Sequence, residues 1–398
     1  MEELIRKSNS IIRAIPTEPV RALYSEIDWN ERLIGILGAR GTGKTTLLMQ
    51  HLKANHGTSG EGLYVSLDDI YFSSNRIADV AEAFWQLGGK VLYIDEVHKY
   101  PDWAREIKNI YDFNRDIRLI FTGSSVTDLL RQTGDLSRRA ALYELPGLSY
   151  REYLYFSGIA QLAPITLEEI LDKHVSIAGD ITSTLRPLQA FADYLNHGYY
   201  PFFKEGLRQF PFKLENVVKM IIETDLQYIE GFDPHNVRKM YQLLYILATN
   251  VPFKPNISKL SEKTGIHRNT LIQYLQHLER ARLIHSLYAA GRSISTLQKP
   301  EKIYLENANL HFALAPQHVD KGSLREAFFV NQLRHARHRV SLPAKGDFLV
   351  DERWTFEVGG KNKAMDQLAG VQDAYVAADD LESGALRKIP LWLFGLLY

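Results

Sequence analysis

The sequence predicts an α/β fold in which a parallel sheet is followed by helical modules and a smaller terminal α/β domain. Three observations predict it. Short apolar runs alternate with helical stretches through the first part of the chain, at Leu33–Leu37, Leu63–Leu67, Val91–Asp95, Leu119–Thr122 and Ala141–Leu145. That alternation is the pattern of a parallel sheet covered by helices. A glycine-rich loop directly follows the first apolar run, and from about Ser149 the pattern changes to aromatic-rich helices.

Composition sets the outer limits. At 398 residues the chain is long enough for two to four cores. With 45% hydrophobic and 24% charged residues it reads as ordinary globular protein. The 47 basic side chains equal the 47 acidic ones, so no global field draws the chain to nucleic acid or anionic lipid. With no cysteine, disulfides and thiolate zinc sites are excluded. The charged start and the lack of any membrane-length apolar window predict a soluble, cytoplasmic protein.

The loop Gly38-Ala39-Arg40-Gly41-Thr42-Gly43-Lys44-Thr45 fits the phosphate-binding pattern, with a strand before it and Leu47-Leu48-Met49-Gln50 opening a helix after it. Glycines let backbone N–H groups turn inward around phosphates, where the helix N-terminus adds positive potential. Lys44 then neutralises the β and γ phosphates of ATP, the Thr45 hydroxyl holds Mg²⁺, and Thr46 extends the helix start. A second apolar strand ends in Asp95-Glu96, with Asp95 expected in the Mg²⁺ shell and Glu96 as general base toward the attacking water.

A third strand ends in Thr122-Gly123-Ser124-Ser125, where Thr122 or Ser124 suits a sensor of the γ-phosphate. A helix is expected over Val126–Thr133, and Arg138 and Arg139 after it are candidates for the arginine that stabilises transition-state charge, in the same or a neighbouring subunit. A solvated basic pair is the alternative. His98 is read as a surface histidine, with a relay of phosphate state as the other possibility.

These motifs, with Ile94-Asp95-Glu96-Val97-His98-Lys99, Pro101-Asp102-Trp103 and Leu148-Ser149-Tyr150-Arg151-Glu152-Tyr153, resemble bacterial and archaeal AAA+-type ATPases that carry a C-terminal DUF4143 domain. The resemblance implies a P-loop NTPase sheet in which one strand separates the two nucleotide-binding strands, and a catalytic glutamate after the magnesium-binding aspartate. It implies no substrate.

Further along, apolar residues recur at helical spacing on both sides of Gly265 within Ile257–Glu279, the layout of a helix-turn-helix. Its second helix is expected to expose Arg268, Asn269, Gln273, Gln276 and His277, which can reach base edges or phosphates. Ile284–Ala289 and Lys302–Leu305 could pair as a wing. DNA contact and a lid or protein-contact role are both open.

The last segment resembles the restriction-endonuclease-like fold, with Glu326 on a helix, Asp347 before strand Phe348–Val350, and Glu357 on strand Thr355–Val358. Such sites usually place a lysine two residues after the last acid, where this chain has Gly359. Lys361 has the right parity but lies about 13 Å from Glu357 along an extended strand. A poor or inactive nuclease is therefore expected.

The expected organisation is 1–155 ATPase domain, 156–250 helical connector, 251–308 winged helix and 309–398 nuclease-like domain. The expected activity is Mg²⁺-dependent ATP hydrolysis that moves the C-terminal modules, on DNA or, alternatively, as a slow ATP-dependent switch for a protein partner or a second copy.

Overall fold

The computed structural model describes residues 1–124, 136, 138–228, 232–250, 252–291 and 299–398. Ser125 and the helix expected over Val126–Thr133 lie outside the described residues. The chain divides into two compact units, Met1–Gly147 with Thr224–Phe232, and Leu148–Glu223 with Asp233–Tyr398. The segments expected as connector, winged helix and terminal domain thus cluster, apart from Thr224–Phe232, into one unit.

The first unit is built on strands β1 (Leu33–Gly38), β2 (Gly62–Ser66), β3 (Val91–Asp95), β4 (Arg118–Ser124) and β5 (Ala141–Glu144). All pair in parallel, in the order β2-β3-β4-β1-β5. Helices cover a parallel sheet on both faces, so its central strands read as continuous apolar runs rather than alternating ones. Leu33, Ile34 and Ile36 of β1, and Val91 to Ile94 of β3, are fully buried accordingly. β4 lies between β1 and β3, so the strands ending at Gly38 and Asp95 straddle it, and their C-terminal ends open on one edge. This is a P-loop NTPase sheet. Ligands in open α/β sheets bind at such an edge.

In the second unit the Leu-Ser149-Tyr-Arg-Glu152 motif is a helix start. Ser149 Oγ accepts from the Glu152 N–H and the Glu152 carboxylate accepts from the Ser149 N–H, a capping box that opens helix Tyr150–Phe156. Ser149 Oγ and Arg151 Nε both donate to the Tyr398 carbonyl, which ties the chain end to this helix.

Helices Ile257–Thr264 and Arg268–Arg280 meet at Gly265, whose φ of 63° supplies the left-handed turn. Strands β6 (Ile284–Leu287) and β7 (Lys302–Leu305) pair antiparallel after them. Arg268, Asn269 and Gln273 are exposed. His277, expected outside, is buried, because it falls on the helix face that carries Tyr274 and Leu278 inward.

The last strands, β8 (Val340–Ser341), β9 (Phe348–Val350), β10 (Trp354–Gly359), β11 (Ala374–Ala378) and β12 (Lys388–Pro390), form a sheet in sequential order. β8, β9 and β10 are antiparallel neighbours, while β11 and β12 add in parallel. Helix Lys321–His335 packs on β10. Asp347 stands directly before β9, and its Oδ2 accepts the Val358 N–H at 2.9 Å. Tyr304 Oη donates to Glu326 Oε2 at 2.5 Å. Glu357 is fully buried on β10, with the Lys363 ammonium 2.7 Å from its Oε1. Lys361, the residue singled out by strand parity, is exposed in the turn that follows, because β10 ends at Gly359.

Candidate functional site

Gly41 and Gly43 hold φ of 84° and 95°, which turns the loop after β1 and starts helix Lys44–Asn55. Gly38 is fixed by a neighbour rather than by its φ. A Cβ there would lie 2.3 Å from the Leu145 carbonyl oxygen after β5. The Lys44 ammonium is buried and donates to the carbonyls of Gly38 and Ala39, both at 2.9 Å. Burial lowers its pKa, with Glu96 and Asp95 opposing. Thr42 Oγ1 closes the loop on the Ala39 carbonyl.

At the end of β3, Asp95 is the convergence point. Thr45 Oγ1 donates to its Oδ2 at 2.8 Å, Tyr64 Oη donates to the same oxygen at 2.9 Å, and Thr122 Oγ1 donates to Oδ1. Burial pushes the Asp95 carboxyl up, and Glu96 adds to this, while the three hydroxyls pull it down. Thr122 also accepts from the Glu96 N–H at 3.2 Å. Of the two expected sensors, Thr122 is the one that touches both carboxylate residues.

Glu96 stands in the left-handed region, φ 56°, a conformation unusual for a residue with a Cβ and costly enough to need support from its surroundings. That kink turns its carboxylate away from the strand, to 3.2 Å from His98 Nε2 and 4.0 Å from Arg40 Nη2. His98 is buried, contrary to the surface position expected, since the short helical turn Val97–Lys99 folds it back under β4. Its Nδ1 accepts from the Ser124 N–H at 3.4 Å, which leaves the ring proton on Nε2, facing Glu96. Burial lowers the His98 pKa to about 4, so the neutral ring is the form present at neutral pH. Ser124 therefore acts through its backbone on His98.

Three groups of this site had no sequence signal. Arg21 Nη1 donates to the Thr42 carbonyl at 2.6 Å, and its Nη2 donates to those of Pro146 and Gly147, bracing the loop from outside. Tyr64 reaches Asp95 from β2. Asp225, 1% exposed, binds Arg40 through two bonds, Nη2 to Oδ1 at 2.7 Å and Nε to Oδ2 at 3.0 Å. The partner of this loop arginine lies 185 residues away in the chain.

Asp225→Ala strands the Arg40 guanidinium, one quarter exposed, beside the loop. Its expected cost is roughly 3 kcal/mol. The double change Arg40→Met/Asp225→Leu is expected to be milder, because it leaves no unpaired charge. Urea unfolding midpoints check this, and equal losses in the single and double variants would show that the pair is uncoupled.

The two arginines after the expected helix behave differently from a finger in the same chain. Arg139 forms a bidentate pair with Asp112, Nε to Oδ1 at 2.9 Å, and Arg138 is exposed. A groove of about 580 Å³ between helices Ile77–Gln86 and Trp103–Phe113 contains none of the predicted site residues.

Residues 30–154 match the family model of an AAA domain. The matched span takes in the loop, Asp95, Glu96 and Thr122. Over residues 188–318 the model that matches is a domain of unknown function, DUF8612, where the sequence resemblance had suggested DUF4143. The chain is 29% identical over 293 residues to an uncharacterized protein, MJ1637, of Methanocaldococcus jannaschii, covering 70% of this chain and 61% of that one. It spans less than two thirds of that relative's length. Among solved structures, AMPPCP-bound DnaA from Aquifex aeolicus is 16% identical with a TM-score of 0.28, covering 70% of this chain and 88% of that one. PCH-2 of C. elegans is 17% identical with a TM-score of 0.24, covering 39% and 44%. Scores this low bear no weight on function. No described helix is long and apolar enough to cross a membrane.

In the second unit, one group among the described residues brings three ligand-type side chains within 4.8 Å: His285, Glu306 and His335. Glu306 lies 3.4 Å from His285 Nε2 and 3.0 Å from His335 Nε2, and His285 Nε2 and Glu306 Oε2 have no aligned hydrogen-bond partner. Arg334 Nη1 can only donate, and it reaches His285 Nδ1 at 3.2 Å, so the neutral ring keeps its proton on Nε2, toward Glu306. Burial lowers the His285 pKa to about 3; burial opposes ionisation of Glu306, yet its two histidines hold that carboxyl at about 2. Glu306 thereby links β6 to helix Lys321–His335.

Proposed function

We propose that this chain is a Mg²⁺-dependent ATPase whose nucleotide cycle rearranges its C-terminal modules, with DNA as the molecule acted on. The observation that carries the reading is the 2.8 Å bond from Thr45 to Asp95, which joins the phosphate loop to the acidic strand end. Thr45 and Asp95 would hold Mg²⁺, which would supply charge neutralisation at the β and γ phosphates. Their donor set fits: a hydroxyl and a carboxylate are hard oxygen ligands.

The protein's own groups do the rest. Lys44 exchanges the loop carbonyls for phosphate oxygens, and the loop N–H groups orient the triphosphate. Glu96 accepts a proton from the attacking water, and Thr122 fixes its backbone. His98 Nε2 lies 3.2 Å from the Glu96 carboxylate, and that crowding of the base keeps a second reading in play, an ATP-gated switch for a protein partner with slow turnover. Arg138, being exposed, can serve a neighbouring copy as the arginine finger.

The deciding experiment is ATP turnover with and without single- and double-stranded DNA. Stimulation supports action on DNA; slow turnover indifferent to DNA, together with a stable protein partner, supports the switch. We read Ile257–Leu305 as a winged helix that contacts DNA through Arg268, Asn269 and Gln273. Arg268 Nη2 is held by Ser258 Oγ at 2.7 Å, so it is positioned at the helix start. Replacing Arg268 and Gln273 with alanine is expected to weaken DNA binding about tenfold or more with ATP affinity unchanged. If the unmodified chain binds no DNA at low salt, where phosphate contacts are strongest, the module is a lid or protein contact instead.

A further inference from the structure

We propose that Asp225 is a positioning residue for hydrolysis: it holds the Arg40 guanidinium off the Glu96 carboxylate and so, on the reading of Glu96 as general base, keeps that carboxylate free for water. Two donors stand between two carboxylates here. Arg40 Nη2 lies 2.7 Å from Asp225 Oδ1 and 4.0 Å from Glu96 Oε2. His98 Nε2 lies 3.2 Å from Glu96 Oε2 and 4.0 Å from Asp225 Oδ1. Arg40 is committed to Asp225 through two bonds, while Glu96 Oε2, a buried atom, has no aligned hydrogen-bond donor.

A buried carboxylate oxygen without a donor is costly, and a guanidinium 4.0 Å away would relieve it by closing the gap. Asp225 prevents this because its side chain is 1% exposed against 22% for Glu96, so its attraction for Arg40 is the less screened of the two. Asp225 does most to keep Arg40 charged; burial opposes, and Glu96 adds a smaller share. If Arg40 moved to Glu96, the opposite charge would favour the ionised carboxylate and weaken it as a base. His98 does not have this effect. Its ring is neutral, and the single proton on Nε2 brings no charge to Glu96.

The position of Asp225 in the chain gives this contact a regulatory consequence. It opens the short helical turn Asp225–Tyr228, within the segment Thr224–Phe232 that belongs to the first unit although the chain on either side belongs to the second. Tyr228 of the same turn packs edge-on against His98, with ring centroids 5.7 Å apart, and Lys99 Nζ lies 5.6 Å over the Tyr228 ring. The turn is thus seated on Arg40 of the loop and on the two residues that follow Val97. With the turn seated, Arg40 is held and Glu96 is free; with it withdrawn, Arg40 closes on Glu96 and hydrolysis slows.

The test uses the full chain with ATP and Mg²⁺. Asp225→Asn keeps the size of the side chain and still accepts a hydrogen bond, but the charged Glu96 then becomes the better partner for Arg40. Single-turnover hydrolysis at saturating ATP is expected to fall about 10- to 100-fold, with affinity for a fluorescent ATP analogue changed less than about twofold. Circular dichroism establishes folding. Adding Arg40→Met to Asp225→Asn removes the competitor and is expected to recover most of the lost rate. In a Glu96→Gln background Asp225→Asn is expected to cost nothing further, since the base it protects is already gone.

An unchanged rate in folded Asp225→Asn, where Glu96→Gln does slow the chain, overturns the role of Asp225 and leaves Glu96 as the base. A loss that persists after Arg40→Met shows that Arg40 is not the competitor, and an equal loss in the Glu96→Gln background shows that Asp225 only shapes the loop; either result overturns the proposal. Hydrolysis indifferent to Glu96→Gln removes the base assignment itself and the role of Asp225 with it.

Discussion

Lys44→Ala is expected to weaken ATP binding by about 100-fold or more, equivalent to roughly 3 kcal/mol. Among the described residues Lys44 is the cation whose ammonium sits inside the loop, on the carbonyls of Gly38 and Ala39. Arg40, the other loop cation, cannot replace it while its Nε and Nη2 hold Asp225. Burial makes the effect large, because charge interactions strengthen where water is excluded. Binding of a fluorescent ATP analogue checks it, with circular dichroism to establish folding. Unchanged affinity in the folded variant would remove the loop from the nucleotide site.

Glu96→Gln should separate binding from chemistry, leaving ATP affinity near wild type and slowing hydrolysis by about 10²–10⁴. The amide keeps the side chain's size and can still hydrogen-bond a water, but it cannot take the proton. The Glu96 backbone is anchored independently, through its N–H to Thr122, so the left-handed kink survives the change. Single-turnover hydrolysis measures the effect directly. Wild-type turnover in this variant would mean that the base lies elsewhere. Asp95→Asn is not an equivalent test, because Asp95 accepts from three hydroxyls and its loss disturbs Thr45, Tyr64 and Thr122 together.

Much of the proposed nucleotide site was legible because its chemistry is local in sequence. The loop needs glycines at fixed offsets, the helix start needs Lys44 and Thr45 in succession, and a buried parallel strand ending in Asp95-Glu96 announces itself by continuous apolar residues. The sheet order, with β4 between the two strands that carry these motifs, is the one the family resemblance implied. His98 was misplaced, since its burial depends on packing against β4 and on the Ser124 N–H rather than on its neighbours in sequence. Arg139 was uninformative as half of a basic pair until Asp112 was found beside it.

The sequence by itself determined the strands of the first sheet, the phosphate loop, the acid pair and the two helices around Gly265, because periodicity and backbone geometry act over a few residues. Only the tertiary structure decided which side chains meet. Arg40 finds Asp225 across 185 residues, Arg21 braces the loop from outside it, and Tyr64 reaches Asp95 from the neighbouring strand. Lys363 returns to Glu357 because Gly359 offers no side chain to block it, an outcome that strand parity could not foresee once the strand had ended. Such pairings depend on long-range packing and on the cost of burying a charge alone, neither of which leaves a periodic mark along the chain.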